Sequence, residues 1–163
     1  MNFNIKFIAF FLFAIMSSSA NSGNWYYVVE LDKMLDHRKL RRATLWQDQN
    51  AHIRSAQITY IPNASRGRRI QIVLEGRDIL CLADELCVIQ TRFNDQAATQ
   101  LKYHVDSWDN SYDGRIVLLP LDEDYFLKEL TQSSRVLLRP HWKNGPRGTI
   151  VEFHAVEPLV VSD

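Results

Sequence analysis

The chain predicts an all-β fold, an antiparallel β-sandwich or flattened barrel with one short helix and one disulfide. Three observations carry that expectation. Apolar and polar residues alternate through many short runs at roughly ten-residue spacing. Only one segment has the apolar spacing of a helix. The 163 residues contain just 2 cysteines, close together in C-L-A-D-E-L-C from Cys81 to Cys87.

The first element is a leader. M-N-F-N-I-K carries the positive charge of Lys6, and the apolar run from Phe7 to Met16 is shorter than the roughly 20 residues a membrane-spanning helix needs. It ends in S-S-S-A, with Ser18 and Ala20 as the small residues of a signal-peptidase site, so cleavage is expected after Ala20. Residues 1–20 are therefore set apart as a cleaved signal peptide, and residues 21–163 as one β-sandwich domain, long enough to bury a core without many cross-links. No cysteine follows the small residues to take a lipid, and no transmembrane segment is expected after cleavage. The chain has 19 basic and 19 acidic residues. Losing Lys6 leaves one excess acid, so there is no global field to draw nucleic acid or anionic membrane.

The strands follow as alternation. W-Y-Y-V-V-E-L, R-A-T-L-W-Q and A-Q-I-T-Y-I are three β-prone runs. In R-R-I-Q-I-V-L, Ile70, Ile72 and Leu74 share one face, and Gly76 then permits a turn. In C-V-I-Q-T-R-F, Cys87, Ile89, Thr91 and Phe93 share one face and Val88, Gln90 and Arg92 the other. N-D-Q from Asn94 to Gln96 turns the chain into a strand where Leu101, Tyr103 and Val105 alternate with Lys102 and His104. A polar connection, D-S-W-D-N-S-Y-D-G, leads to the run Arg115 to Leu119, stopped by Pro120. R-V-L-L-R and T-I-V-E-F-H-A-V complete the set. The helix is D-E-D-Y-F-L-K-E-L, with Asp122 as its cap, acids in its first turn, and Phe126, Leu127 and Leu130 on its apolar face.

The exported compartment decides the cysteines, because a lone pair in an oxidising environment is normally bonded. Zinc would need two more ligands, and the 5 histidines (His37, His52, His104, His141 and His154) are scattered without ligand spacing. Catalytic dithiols usually have a two-residue spacer, which this pair lacks. Cys81 and Cys87 are thus expected as a structural disulfide pinning the register of two neighbouring strands.

Trp25, Asp32-Lys33-Met34, the cysteine pair, Arg92-Phe93-Asn94-Asp95, Phe126 and Phe153 together resemble a group of small exported bacterial proteins. A weaker likeness is to accessory proteins associated with type VI secretion. The resemblance implies export, a β-rich fold and the disulfide, and it implies no catalytic residues. Where that group often has Asp after the Phe, this chain has Asn94, so no role for an acid carries over.

Enzyme motifs are lacking: no G-x-S-x-G, no H-E-x-x-H, no phosphate-cradling glycine loop. His104 and Asp106 share a strand face at i, i+2, which reads first as a solvated polar edge. In D-N-S-Y-D-G, Asp109, Ser111 and Asp113 fit positions one, three and five of a calcium loop. Position twelve is Pro120 instead of a bidentate Glu and the flanks are strands, so a polar turn is expected there. No cofactor is expected. The sequon at Asn63 matters only in a glycosylating host.

Two basic clusters remain: H-R-K-L-R-R with Arg38, Lys39, Arg41 and Arg42, and R-G-R-R with Arg66, Arg68 and Arg69. Solvated charge at strand edges, where it discourages sheet-to-sheet pairing, is one reading. The functional reading joins them on one rim that binds an anionic envelope component or an acidic protein. Nucleic acid is not expected, since the clusters lack interleaved stacking aromatics. The expectation is a periplasmic or secreted, non-catalytic binding or envelope-accessory protein. An inhibitor or immunity-type protein blocking a partner, which an exposed aromatic and acidic patch around Trp108 and Tyr112 would favour, is the alternative, and a hydrolytic enzyme ranks below both.

Overall fold

The computed structural model describes residues 23–32, 37–47, 53–62, 64, 69–76, 78–81, 86–106, 115–143 and 146–161. The expected leader, residues 1–20, lies outside them. Within them the chain forms β1 (Tyr26–Asp32), β2 (His37–Trp46), β3 (Ser55–Tyr60), β4 (Ile70–Glu75), β5 (Leu86–Phe93), β6 (Thr99–Asp106), β7 (Arg115–Pro120), α1 (Glu123–Leu130), β8 (Arg135–Arg139) and β9 (Val151–His154).

All nine strands belong to one sheet, in the order β1-β2-β3-β4-β7-β6-β5-β8-β9. Every pairing is antiparallel. The sheet curls into a half-barrel instead of splitting into two layers. At one end its two margins meet: Gln47, just past β2, bridges Phe153 of β9, and Val156 N donates to Gly23 O at 2.6 Å. The tail after β9 is tied down by Leu159 N to Leu130 O at 3.1 Å and by Val160 N to the Tyr27 hydroxyl at 3.0 Å.

Alternation decides which side chains enter the curl. Along β5 burial switches at every residue, so Cys87, Ile89, Thr91 and Phe93 are inside while Val88, Gln90 and Arg92 are partly solvated. Ile58, Ile72, Leu74, Leu118, Leu138 and Phe153 join them from the other strands. α1 starts at Asp122, whose carboxylate accepts from Tyr125 N at 3.0 Å, satisfying one orphan donor of the first turn. Its Phe126 is fully buried and meets Phe93 edge-on at 5.1 Å and Tyr103 at 6.2 Å between ring centroids. Burying such a ring contributes about 1.5–3 kcal/mol.

Asn94 shows why an amide suits that position. Its φ is +47°, a left-handed conformation that Asn adopts more readily than most side chains. From there its Oδ1 accepts from Ser134 N at 3.1 Å and Arg135 N at 3.2 Å, joining the end of β5 to the start of β8.

The disulfide is present between Cys81 and Cys87, with Cα atoms 4.4 Å apart, as an oxidising compartment favours. Its mechanical role differs from the expected one. Cys87 lies in β5, but Cys81 lies in the connection before it. That connection pairs with the chain beyond β8: Ile79 bridges Trp142, Leu80 N donates to His141 O at 2.6 Å, and Lys143 N donates to Asp78 O at 3.0 Å. The bond therefore pins this short lateral pairing to β5, and leaves the register of the long strands to their own ladders. Among the described residues no helix is long and apolar enough to cross a membrane.

Candidate anion-binding site

The first basic cluster lies inside β2, which begins at His37, where the sequence indicated a strand starting only near Arg42. Val28 pairs with Arg42 and Val29 with Leu40, which leaves Arg41 as the extra residue of a β-bulge. The bulge breaks the alternation, so Leu40 and Ala43 are both buried while Arg41 and Arg42 are both exposed. Arg41 is ion-paired with Glu30 on β1. Arg38 and Lys39 stand opposite Leu31 and Glu30 in register.

Of the second cluster, Arg66 and Arg68 lie outside the described residues, as does Asn63. Arg69 is a structural cation. It is ion-paired with Asp124, its Nε is 3.8 Å from Glu123, and its backbone N donates to Glu123 Oε2 at 3.3 Å. The hydrogen bond to Asp124 pushes its pKa further up, against some desolvation. These contacts seat the first turn of α1 on the start of β4.

Register brings one residue of each cluster to the same strand end. Ala43 pairs with Tyr60 and Tyr60 with Ile70, so Arg42, the residue before Ala43, and Arg69, the residue before Ile70, flank the same strand end. Neighbouring strands lie about 4.8 Å apart, which puts the two backbones about 10 Å from each other. Arg42 contributes an exposed charge there, and Arg69 one already matched by acids.

Asp109, Ser111 and Asp113, together with Trp108 and Tyr112, lie outside the described residues. His104 and Asp106 are on the outer face of β6. The residues directly opposite are apolar: Leu86 and Leu119 for His104, Val117 for Asp106.

The surface that sequence reading missed is the outer face of β5, β8 and β9. Arg92 pairs with Leu137, and Leu137 with Glu152. One outward step along the strands, Gln90 pairs with Arg139. Arg135 is the other outward residue beside Leu137. These side chains, with Ala98, Leu138 and Ile150, line a half-open groove of about 440 Å³, within the size range of small-ligand sites.

Three arginines and one carboxylate line this groove. Arg135 Nε donates to Glu152 Oε1 at 2.7 Å. Arg139 Nη1 donates to the neutral Gln90 Oε1 at 3.2 Å. The Arg92 side chain makes no hydrogen bond or ion pair among the described residues, and its Nε is buried. A buried donor left without an acceptor costs about 1–3 kcal/mol. The signal in the sequence was R-V-L-L-R, whose period of two puts Arg135 and Arg139 on one face. Nothing in the sequence placed that face beside Arg92.

Chemically the groove offers planar, permanently charged donors suited to a carboxylate or phosphate, flanked by apolar side chains. Among the described residues no group of three or more His, Cys, Asp or Glu is placed to hold a metal ion. Comparison of the chain with protein-family models, with curated proteins and with solved structures finds no match.

Proposed function

We propose that this is an exported, non-catalytic binding or envelope-accessory protein whose partner is anionic. The observation that carries this reading is the outer-face groove, where three arginines meet a single acid and one arginine has no partner among the described residues. The bonded cysteine pair supports an oxidising compartment, and the leader read from residues 1–20 supports export. Arg42, exposed at the bulge, supplies a second cationic point away from the groove.

The test is binding of the purified, disulfide-bonded protein to anionic and neutral envelope fractions. The expected result is preferential binding to the anionic fraction that weakens as salt rises from about 0.1 M to about 1 M, as the screening length falls from about 10 Å to about 3 Å. Arg92→Gln and the double change Arg41→Gln/Arg42→Gln then show which surface is used. Equal binding to both fractions at every salt concentration would overturn the reading.

A further inference from the structure

We infer that the groove over β5, β8 and β9 is a receptor for the oxyanion head, carboxylate or phosphate, of a small ligand whose apolar body lies against Leu137 and Ile150. This rests on the anionic-partner reading and narrows it to one site and one size of ligand.

The geometry is convergent. Leu137 stands directly opposite Arg92, and Arg135 and Arg139 are its neighbours two residues away on the same face of β8. Such diagonal positions on paired strands lie about 7–8 Å apart. The three arginines therefore stand around Leu137 on one face and line the same groove, where an ordinary cationic surface would disperse its charges.

The three arginines have different roles. Arg92 is the anchor: it is half-buried, with a buried Nε and no side-chain acceptor among the described residues, and a ligand oxygen would satisfy it. Arg139 is the exchangeable jaw, because its partner is the neutral amide of Gln90 at 3.2 Å. Trading that amide for a carboxylate or phosphate makes a charge-assisted bond of roughly twice the strength. Arg135 is a positioning residue, its guanidinium held by Glu152 at 2.7 Å, and Glu152 offsets only one of the three charges.

Size and polarity select the ligand. A polymer or lipid surface is best met by exposed cations such as Arg42, whereas a half-open groove of about 440 Å³ encloses a small molecule. Ala98, Leu137 and Ile150 in its lining favour a ligand with a hydrocarbon part over a fully hydrated inorganic anion.

The experiment is calorimetric titration of the purified, disulfide-bonded protein with hexanoate, hexyl phosphate, hexanamide and inorganic phosphate. At least one of the first two is expected to bind at one-to-one stoichiometry, and the stronger of them identifies the head group. Hexanamide is expected not to bind, and inorganic phosphate to bind more weakly than hexyl phosphate. Arg92→Gln and Arg139→Gln should each weaken binding by about tenfold or more, the loss expected for one charge-assisted hydrogen bond. Arg41→Gln/Arg42→Gln should leave it unchanged. Arg139 is exposed, so its variant keeps the test decisive if Arg92→Gln disturbs folding by near-ultraviolet circular dichroism.

Binding of hexanamide as tight as hexanoate, or wild-type affinity in both groove variants, overturns the inference. Inorganic phosphate binding as tightly as hexyl phosphate overturns the apolar part of it. If no probe binds but anionic vesicles are held through Arg41 and Arg42, the groove inference falls and the anionic-partner reading stands. If neither is bound, both fall.

Discussion

Tyr103→Phe removes a single oxygen from the middle of the core, and the structure fixes what that should do at each pH. Tyr103 is fully buried, its hydroxyl 2.7 Å from Thr91 Oγ1. Thr91 Oγ1 also lies 3.3 Å from Ile89 O, and either hydroxyl can be the donor of the Tyr103–Thr91 pair. Deleting the Tyr103 hydroxyl loses one buried hydrogen bond and no apolar packing, a cost of about 1 kcal/mol at neutral pH. Burial pushes the Tyr103 phenol well above its ordinary value, opposed by the hydrogen bond with Thr91.

A phenol with a raised folded pKa stays protonated in the fold after the unfolded chain has begun to ionise. Its contribution to stability is therefore complete below the unfolded value, about pH 10, and is lost above it at about 1.4 kcal/mol per pH unit. The Phe variant lacks that loss, and the other titrating groups are common to both proteins. The wild-type advantage should be about 1 kcal/mol at pH 7, vanish near about pH 10.6, and reverse above that. Urea unfolding followed by tryptophan fluorescence between pH 7 and 11 measures the difference directly. A difference that stays constant across that range would show that Tyr103 ionises as freely in the fold as in the unfolded chain, and the buried-phenol argument would fail.

Other consequences follow from the β5–β8 corner and the disulfide. Asn94→Ala should cost about 2 kcal/mol, from left-handed backbone strain and two lost acceptor contacts. Asn94→Asp keeps the oxygen and should stay within about 0.5 kcal/mol of wild type by thermal unfolding; an equal loss in both would mean that the side-chain oxygen is not what holds Ser134 and Arg135. The intact protein should weigh two hydrogens less than the reduced sequence. Replacing both cysteines with Ser should cost about 2 kcal/mol, with faster hydrogen exchange at Leu80 and Lys143 and little change along β6. Faster exchange centred on β6 instead would return the bond to the register-setting role first expected of it.

Much of the fold was legible because one face of the curled sheet is buried. That forces a period of two, and a one-residue slip would turn every side chain over. Ile70, Ile72 and Leu74, and Cys87 through Phe93, declared their inner face in this way. Asp122 declared the helix start because an orphan donor needs an acceptor at that spacing. The bulge at Arg41 was not legible: two successive outward arginines look like any break in a pattern, and only the pairing of Val28 and Val29 across to β2 reveals the extra residue. For the same reason the first cluster read as charge beside a strand when it lies within one.

The sequence by itself determined the elements, the inward residues and the pairing of the two cysteines, all properties set by neighbours within a few residues. Only the tertiary structure decided the strand order, in which β4 pairs with β7 and β5 with both β6 and β8. That order sets Arg92 beside Arg135 and Arg139, more than forty positions away along the chain. It equally commits Arg69 to Glu123 and Asp124, so that a residue read as surface charge seats the helix. Alternation tells which face a charge occupies, and it carries no information about which strand lies next to it. Whether an arginine is matched by an acid, a neutral amide or nothing depends on that neighbour, and so the groove and its charge imbalance exist only once the sheet is assembled.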